Sequence, residues 1–403
     1  VIAGDGAVVC MAKADYGAQP ENQRDPACWW QAVFHCLRSL MVALREAGHN
    51  PRDIQGIAVD GTSGSLLLTD AGLNPVNRAL MYDDGGFKPE AARIAAHAPD
   101  PHIARGSNSA LARAMRLVTE DTQNIGAHLL HQADFIAARL RGGGAISDVN
   151  NALKTGCDPA NCNWPDWMRE VIPAHLLPRL RFPGEETGPV SGDVAKDLGL
   201  PDHTVVHAGT TDSIAAFLAA TPLTTGAAVT SIGTTLAIKL YSPKRIEDPQ
   251  LGLYAHRLGD GWLIGGASNT GGGVLRAHFD DATLIALSEK IDPNVSSGLD
   301  YYPLLKPGER FPTNDPELAP KLTPHPTDDV AFLHGLLEGI ARIEAQAYDL
   351  LAKRGGPRPD VILTSGGGSK NDIFTQIRSR IIGIEIKPAA QTEAAAGTAR
   401  LAL

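Results

Sequence analysis

The sequence predicts an α/β protein built as two lobes around a central cleft. Three observations lead there. At 403 residues with 43% hydrophobic and 20% charged side chains, the chain can bury a core larger than one domain needs. An opening of strands followed by helices occurs twice, near residue 4 and again near residue 228, although the halves share no close sequence repeat. Glycine-rich turns repeatedly join a strand to the next element, the layout of open α/β sheets.

In order, "GDGAVVCMAKAD" (4–15) reads as a hairpin turn followed by a strand. "DPACWWQAVFHCLRSLMVALREAGH" (25–49) has apolar residues at helical spacing, an Asp-Pro start and Gly48 as its stop. "IQGIAVDGTSGSLLLTDAG" (54–72) reads as strand, Gly/Ser turn and strand, and helices follow to about residue 140. Residues 148–173 read as turns with a short helix, where Trp164 and Trp167 are expected to pack rather than bind. "HTVVHAGTTDSIAAFLAA" is a strand running into a helix, and "TPLTTG" (221–226) is the expected hinge. The second half opens on the strands "AAVTSIGTTLAIKLY", "GLYAHRL" and "GWLIGGAS". A long helix over 328–354 then carries Leu333, Leu337, Ile340, Ala347 and Leu351 near one face and stops at Gly355-Gly356. "DVILTSGGGSKNDIFTQIRSRIIG" is strand, glycine turn and helix, and "TEAAAGTARLAL" is a last helix.

The net charge of −9 and the lack of a basic run with interleaved aromatics argue against a nucleic-acid partner. No apolar stretch approaches a membrane span. The five cysteines are odd in number and scattered, and Cys157-x4-Cys162 lacks a second pair at zinc spacing, so reduced thiols and a cytoplasmic protein are expected.

Asp212, in "HAGTTDSIAAFLAA", sits where a buried strand turns into a helix. It either caps the helix or displays a base or metal ligand at the carboxyl end of a strand, where α/β sheets bind ligands. Three turns of the second half, "SIGTTLAIK", "GGASNTGGGVLRAHF" and "TSGGGSKNDIF", are rich enough in glycine to approach a phosphate or a base closely. None is a GxxxxGK[ST] loop or a strand-led GxGxxG. Together they suggest a nucleotide clamp without a P-loop.

The order of these motifs resembles the FGGY carbohydrate kinases, two-lobed enzymes of the actin–hexokinase, ribonuclease H-like fold, and the matched motifs span nearly the whole chain. "AGTTDSIAAF" resembles the family's catalytic aspartate motif, which gives Asp212 the role of base on the sugar hydroxyl. "SIGTTLAI" resembles its second phosphate loop, implying that Gly233, Thr234 and Thr235 lie near the terminal phosphates. "GASNTGGGVLR" nominates Gly272 beside the nucleotide, and "SGGGSKNDIFTQI" nominates Gly367, Gly368 and Asn371 beside the adenosine. In the first lobe "DGTSGSLLLTD" and "MYDDGG" resemble the turns that hold the sugar, implying Ser63, Ser65 and Asp84 as contacts. Each has a plainer reading as well: Ser63 satisfying turn backbone, Asp84 capping or pairing, Asn371 capping its own helix. The resemblance implies ATP and Mg²⁺, with no metal ligand assignable beyond Asp212, and a monomer or homodimer. It divides the chain into a sugar-binding lobe (1–220), a nucleotide-binding lobe (221–391) and a final helix (392–403) that returns to lobe one.

"SDVNNALKTGCD" followed by "WPDW" is most similar to pentulose kinases acting on D-ribulose. The implied activity is ATP-dependent phosphorylation of a ketopentose, D-ribulose ahead of D-xylulose. Two departures stand against the pattern. The family opens on a strand ending Asp-x-Gly-Thr, whereas this chain starts at "VIAGDGAVV", inside the second strand of that hairpin, so lobe one is expected without its first strand. The alternative this raises is a non-catalytic sugar- or nucleotide-binding relative, which the retained Asp212 opposes. In "MYDDGGFKP" Gly86 stands where the family has Arg, so no arginine contact is assigned there. "SNSALARAMRLVTE" leaves the family's Lys/Trp stretch unmatched.

Overall fold

The computed structural model describes residues 1–17 and 19–403, and these divide into two compact units, Val1–Ala219 with Glu393–Leu403, and Ala220–Thr392. The first unit begins with helices α1 (Pro20–Gln23) and α2 (Pro26–Glu46), then strands β1 (Gly56–Gly61) and β2 (Leu66–Thr69). Helices α3 (Lys88–His97) and α4 (Ala110–Glu120), strand β3 (His128–His131) and helix α5 (Gln132–Arg141) follow. After β4 (Ile146–Asp148), α6 (Val149–Ala152), β5 (Arg179–Arg181), β6 (Glu186–Pro189) and α7 (Gly192–Leu198), the unit ends on β7 (Val205–Thr211) and α8 (Asp212–Ala220).

Local chemistry explains the limits of α2. Asp25 accepts from the Ala27 N–H at 2.9 Å, Pro26 supplies a preset φ at the first helical position, and Gly48 takes φ +84° just past the end. The sheet at the centre of the unit has the order β1-β7-β6, with β1 and β7 parallel and Gly61 opposite Thr211. Trp29 of α2 and Phe135 of α5 meet edge-on at 6.4 Å in the core that covers this sheet.

The second unit contains β8 (Ala228–Ile232), β9 (Leu236–Ser242), β10 (Tyr254–Leu258), β11 (Gly261–Ser268), α9 (Gly272–His278) and α10 (Asp281–Ser288). It continues through α11 (Asp329–Lys353), β12 (Val361–Ser365), α12 (Asp372–Ile382) and β13 (Glu385–Pro388). The chain's last helix, α13 (Ala394–Ala399), belongs to the first unit. The six strands of the second unit form one sheet in the order β10-β11-β9-β8-β12-β13. Helix α11 is capped by Asp328 and lays Leu333, Leu336, Leu337, Ile340 and Leu351 into the core. It also buries Glu344, which takes a fork of hydrogen bonds from Arg378 of α12 at 2.6 and 2.8 Å, while Arg378 also donates to Thr364 of β12 at 2.9 Å. Both charges are fully buried, so the pair ties helix to helix and helix to sheet.

Two stretches differ from the sequence reading. The turn in "GDGAVVCMAKAD" forms, with Ala3 N–H donating to Ala7 O at 2.8 Å, but only the bridge Ile2–Val8 follows and residues 11–17 enter no ladder. A strand pattern needs a neighbouring edge to pair with, and sequence alternation does not reveal one. The region read as helices up to residue 140 contains β3, which pairs antiparallel with β2; four residues are too few to show a period.

Arg378→Met is expected to lower the free energy of unfolding by about 3–5 kcal/mol, because it strands the Glu344 charge in the core. Adding Glu344→Gln should recover a large part of the loss in urea titrations. Equal destabilisation by the single and double variants would refute the pairing argument.

Candidate functional site

In the first unit, parallel pairing brings the carboxyl ends of β1 and β7 side by side. Chain leaving β1 makes the turn 62–65, and chain leaving β7 starts α8 at Asp212. Asp212 is exposed and accepts from the Ser213 N–H at 2.5 Å, so the carboxylate also serves the helix end. One strand over, half-buried Asp60 stands at the end of β1 and accepts from the Thr398 hydroxyl. Burial pushes the Asp60 carboxyl upward, the Thr398 hydrogen bond works against that, and the Asp212 charge adds to the rise.

The two turns nominated for the sugar are locked to each other. Ser65 is fully buried and its Oγ accepts from the Tyr82 N–H at 3.2 Å, so Ser65 holds the second turn in place and does not face solvent. The hydroxyl that the resemblance nominates for the sugar is thus enclosed by the turn it braces. Ser63 differs: its Oγ is buried with no hydrogen-bond partner, leaving donor and acceptor capacity unmet. Asp84 accepts from the Met81 N–H at 2.7 Å and pairs with Arg24. Burial raises the Asp84 carboxyl, but the bonds from Arg24 and Met81 outweigh it and hold the group below its ordinary range. Its plainer reading as an ion-pair partner is therefore realised.

Arginines do reach these turns, from places the sequence did not indicate. Buried Arg113 of α4 donates to Gly64 O at 2.9 Å, Asp84 O at 2.7 Å and Asn108 O at 3.1 Å. Arg113 lies in the unmatched stretch "SNSALARAMRLVTE", and only a helix-face count (Leu111, Ala114 and Met115 all buried) could have shown that it points inward.

Behind the β7 edge lies a buried polar network. His131 Nδ1 is 2.7 Å from Asp134 and 3.1 Å from Ser147 Oγ, and its Nε2 is 2.9 Å from Thr155 Oγ1. Asp148 caps α6 by accepting from the Asn150 and Asn151 N–H groups, both at 2.9 Å, and the Asn150 amide reaches Thr210 Oγ1 at 3.2 Å, two residues before Asp212. Burial first, and the Asp134 charge second, push the Asp148 carboxyl up to about 7.

In the second unit β12 runs parallel to β8, while β11 is antiparallel to β9 and β9 to β8. β8, β11 and β12 therefore all end at one edge, and the three glycine turns meet there. Backbone bonds zip the first two together: Gly272 N–H to Gly233 O at 2.9 Å, Gly273 N–H to Thr234 O at 3.0 Å, and Leu236 N–H to Thr270 O at 2.8 Å. A Cβ on Gly272 would lie 2.7 Å from Gly233 O, and one on Gly368 would lie 2.6 Å from the Ile232 side chain. Those two glycines are required by packing. A Cβ on Gly233 or Gly367 would meet nothing within 4 Å, so the backbone there borders open space. Thr234 and Thr235 are exposed, and Arg276, one helical turn beyond Gly272, donates to Thr234 Oγ1 at 3.2 Å. Asn371 accepts from Phe374 N–H at 2.9 Å and donates to Ser288 Oγ at 2.8 Å, so it caps α12 and anchors α10. Sequence reasoning missed Arg276, and also Glu309, whose buried carboxylate accepts from Ser268 Oγ at 2.6 Å and Asn269 N–H at 2.7 Å and holds the turn after β11.

Among the described residues no group of three or more His, Cys, Asp or Glu side chains is placed to hold a metal ion, and no helix is long and apolar enough to cross a membrane. A Mg²⁺ ion carried by nucleotide phosphates keeps much of its water shell and asks for only one or two carboxylates, a demand that exposed Asp212 fits.

Two outcomes follow from this geometry. Gly233→Ala and Gly367→Ala should melt like the parent yet weaken nucleotide binding by about tenfold in calorimetric titration, whereas Gly272→Ala should destabilise the fold by roughly 1–3 kcal/mol. Wild-type nucleotide affinity in both open-space variants would remove those positions from the site. For Asp148, the native state holds its proton more tightly than the unfolded chain. Its contribution to stability is therefore present at low pH and is lost as pH rises from about 4 to about 7, by roughly 3 kcal/mol. Asp148→Asn should flatten that part of a stability–pH profile measured by urea unfolding.

Comparison with known proteins agrees with this architecture. Residues 228–403 match the carboxyl-terminal domain of the FGGY family of carbohydrate kinases. The chain is 24% identical over 403 residues to a xylulose kinase of Escherichia coli, covering 94% of this chain and 81% of that protein. It is 28% identical over 422 residues to a xylulose kinase of Streptomyces coelicolor, covering 99% and 83%. In fold it is similar to the crystal structure of a "xyloylose kinase" from Brucella ovis, with a TM-score of 0.86 at 20% identity, covering 100% of this chain and 86% of that one. With the β-strand ends, the loop zipper and these matches in hand, residues 228–403 are identified as a carboxyl-terminal domain of the FGGY family of carbohydrate kinases, and the whole chain shares the fold of those enzymes.

Proposed function

We propose that this sugar kinase transfers the γ-phosphate of ATP to a hydroxyl of a ketopentose, D-xylulose ahead of D-ribulose. The observation that carries the reading is exposed Asp212 at the carboxyl end of buried β7, on the same edge as the 62–65 turn. Similarity over more than nine-tenths of the chain to relatives named xylulose kinase supports D-xylulose over the D-ribulose suggested by "SDVNNALKTGCD". It also weighs against a purely binding relative.

Phosphoryl transfer asks the protein mainly to position the reactants and to stabilise charge. Asp212 takes the proton of the attacking hydroxyl as the new O–P bond forms, a role suited to a carboxylate exposed at a rigid strand end. The unpartnered Ser63 hydroxyl, at the turn that Arg113 and Ser65 hold rigid, binds a sugar hydroxyl. In the second unit the 233–235 turn approaches the phosphates, Arg276 adds a positive charge beside it, and the open backbone at Gly367 lies along the adenosine. Mg²⁺, brought with the nucleotide, supplies neutralisation of the phosphate charge.

The test is ADP release with Mg-ATP across D-xylulose, D-ribulose, L-ribulose and glycerol. D-xylulose should give the highest kcat/KM, and Asp212→Asn should lower kcat by at least about 10³-fold while sparing ATP binding. Preference for D-ribulose would restore the other pentulose, glycerol as the best acceptor would overturn the pentulose reading, and near-normal turnover of Asp212→Asn would remove it from the base role.

A further inference from the structure

The last segment of the chain makes three contacts around the strand and helix that carry Asp212. Gly397 of α13 packs so closely on α8 that a Cβ would lie 1.8 Å from Ala215 O and 2.5 Å from Ala219 N. Thr398, buried at 2% exposure, donates to the Asp60 carboxylate at the end of β1, with Ala394 O as a second acceptor at 3.2 Å. Arg400 donates to Leu218 O in α8.

Asp60 is an expensive residue for that position. A half-buried carboxylate with no ion-pair partner among the described residues bears part of the desolvation cost that an apolar side chain avoids. Its cross-strand partner is Thr210, two residues before Asp212. Neighbouring strands lie about 4.8 Å apart. Other charged groups near this edge are turned elsewhere: Asp134 of α5 to His131, Glu393 to Lys13, and His207 of β7 to Gly184 O.

We infer that Thr398 and Asp60 are positioning residues for Asp212. Thr398 holds the Asp60 carboxylate at the end of β1, where its negative charge keeps Asp212 turned outward, and the close seat of Gly397 fixes the height of α8. The inference rests on Asp212 being the base. A small displacement of such a group costs turnover far more than it costs binding, because the reacting atoms must meet in a narrow range of geometry.

The experiment compares the full chain with Thr398→Val, Thr398→Ser and Asp60→Asn, using steady-state ADP release with the preferred sugar and hydrogen exchange of the α8 amides. Thr398→Val removes the donor at constant shape and should lower kcat about tenfold with both KM values within about twofold. Thr398→Ser should restore kcat, and Asp60→Asn, which keeps an acceptor but drops the charge, should lower kcat as well. Amides of residues 212–216 should exchange about tenfold faster in Thr398→Val, while those of Val361–Ser365 keep their rates. Wild-type kcat together with unchanged α8 exchange in Thr398→Val would overturn the inference, as would a serine variant as impaired as valine. Asp212→Asn is the control: if it retains turnover, the base assignment falls, whereas if it is inactive and Thr398→Val is normal, only the positioning role falls. Exchange reads the α8 clamp without turnover, so the clamp is tested in either case.

Discussion

Parallel pairing of β1 with β7 is the constraint on which the chemistry of the first unit depends. In a parallel pair both strands end at the same edge, so one register, Gly61 opposite Thr211, decides that the 62–65 turn and Asp212 emerge together. Slipping one strand by a residue would turn its side chains to the opposite face, so that Asp60 and Thr210 no longer sit across from each other and Asp212 shifts relative to the turn. The buried groups around this edge make sense as guards of that register. Asn150 holds Thr210 and Thr398 holds Asp60, each a side chain from a distant part of the chain bonded to the last turn of a strand.

The second unit applies the same geometry to glycines. Three strands running the same way end together, and their turns must pass within backbone contact of one another. At Gly272 the absence of a side chain answers to the protein's own packing, since the 233 carbonyl occupies the space. At Gly233 and Gly367 nothing in the protein fills the space, so packing against the protein does not account for the missing side chain. This division separates packed from open backbone within motifs that look uniform in sequence.

Charges in the interior follow a related logic. Arg378 and Glu344 satisfy each other and join three elements, while Arg113 spends its donors on backbone carbonyls of two turns. A guanidinium suits both places because its planar donors can serve several acceptors at once. An arginine inside α4 thus braces both first-unit turns from within, bonding the Gly64 and Asp84 carbonyls at once.

How much of this was legible in the sequence depends on range. Helix α2 with its Asp-Pro start, α11, the β7–α8 junction at Asp212 and the three glycine turns were readable because period, caps and turn residues act within a few positions. Four-residue β3 and the lack of a ladder beyond Cys10 were not, since a strand exists only where another edge accepts it. Among the nominated residues, Asp212 and Gly233 stand where a ligand could reach them and Ser63 keeps a buried hydroxyl without a partner, while Ser65, Asp84, Gly272 and Asn371 are held by contacts that no local pattern announces. By itself the sequence determined the kinds of element, their order and the position of the acid at a strand end, all consequences of short-range backbone preference. Tertiary structure alone decided which polar groups meet. Thr398 finds Asp60 across 338 residues only because sheet register and helix packing, summed over the whole unit, bring them to one edge.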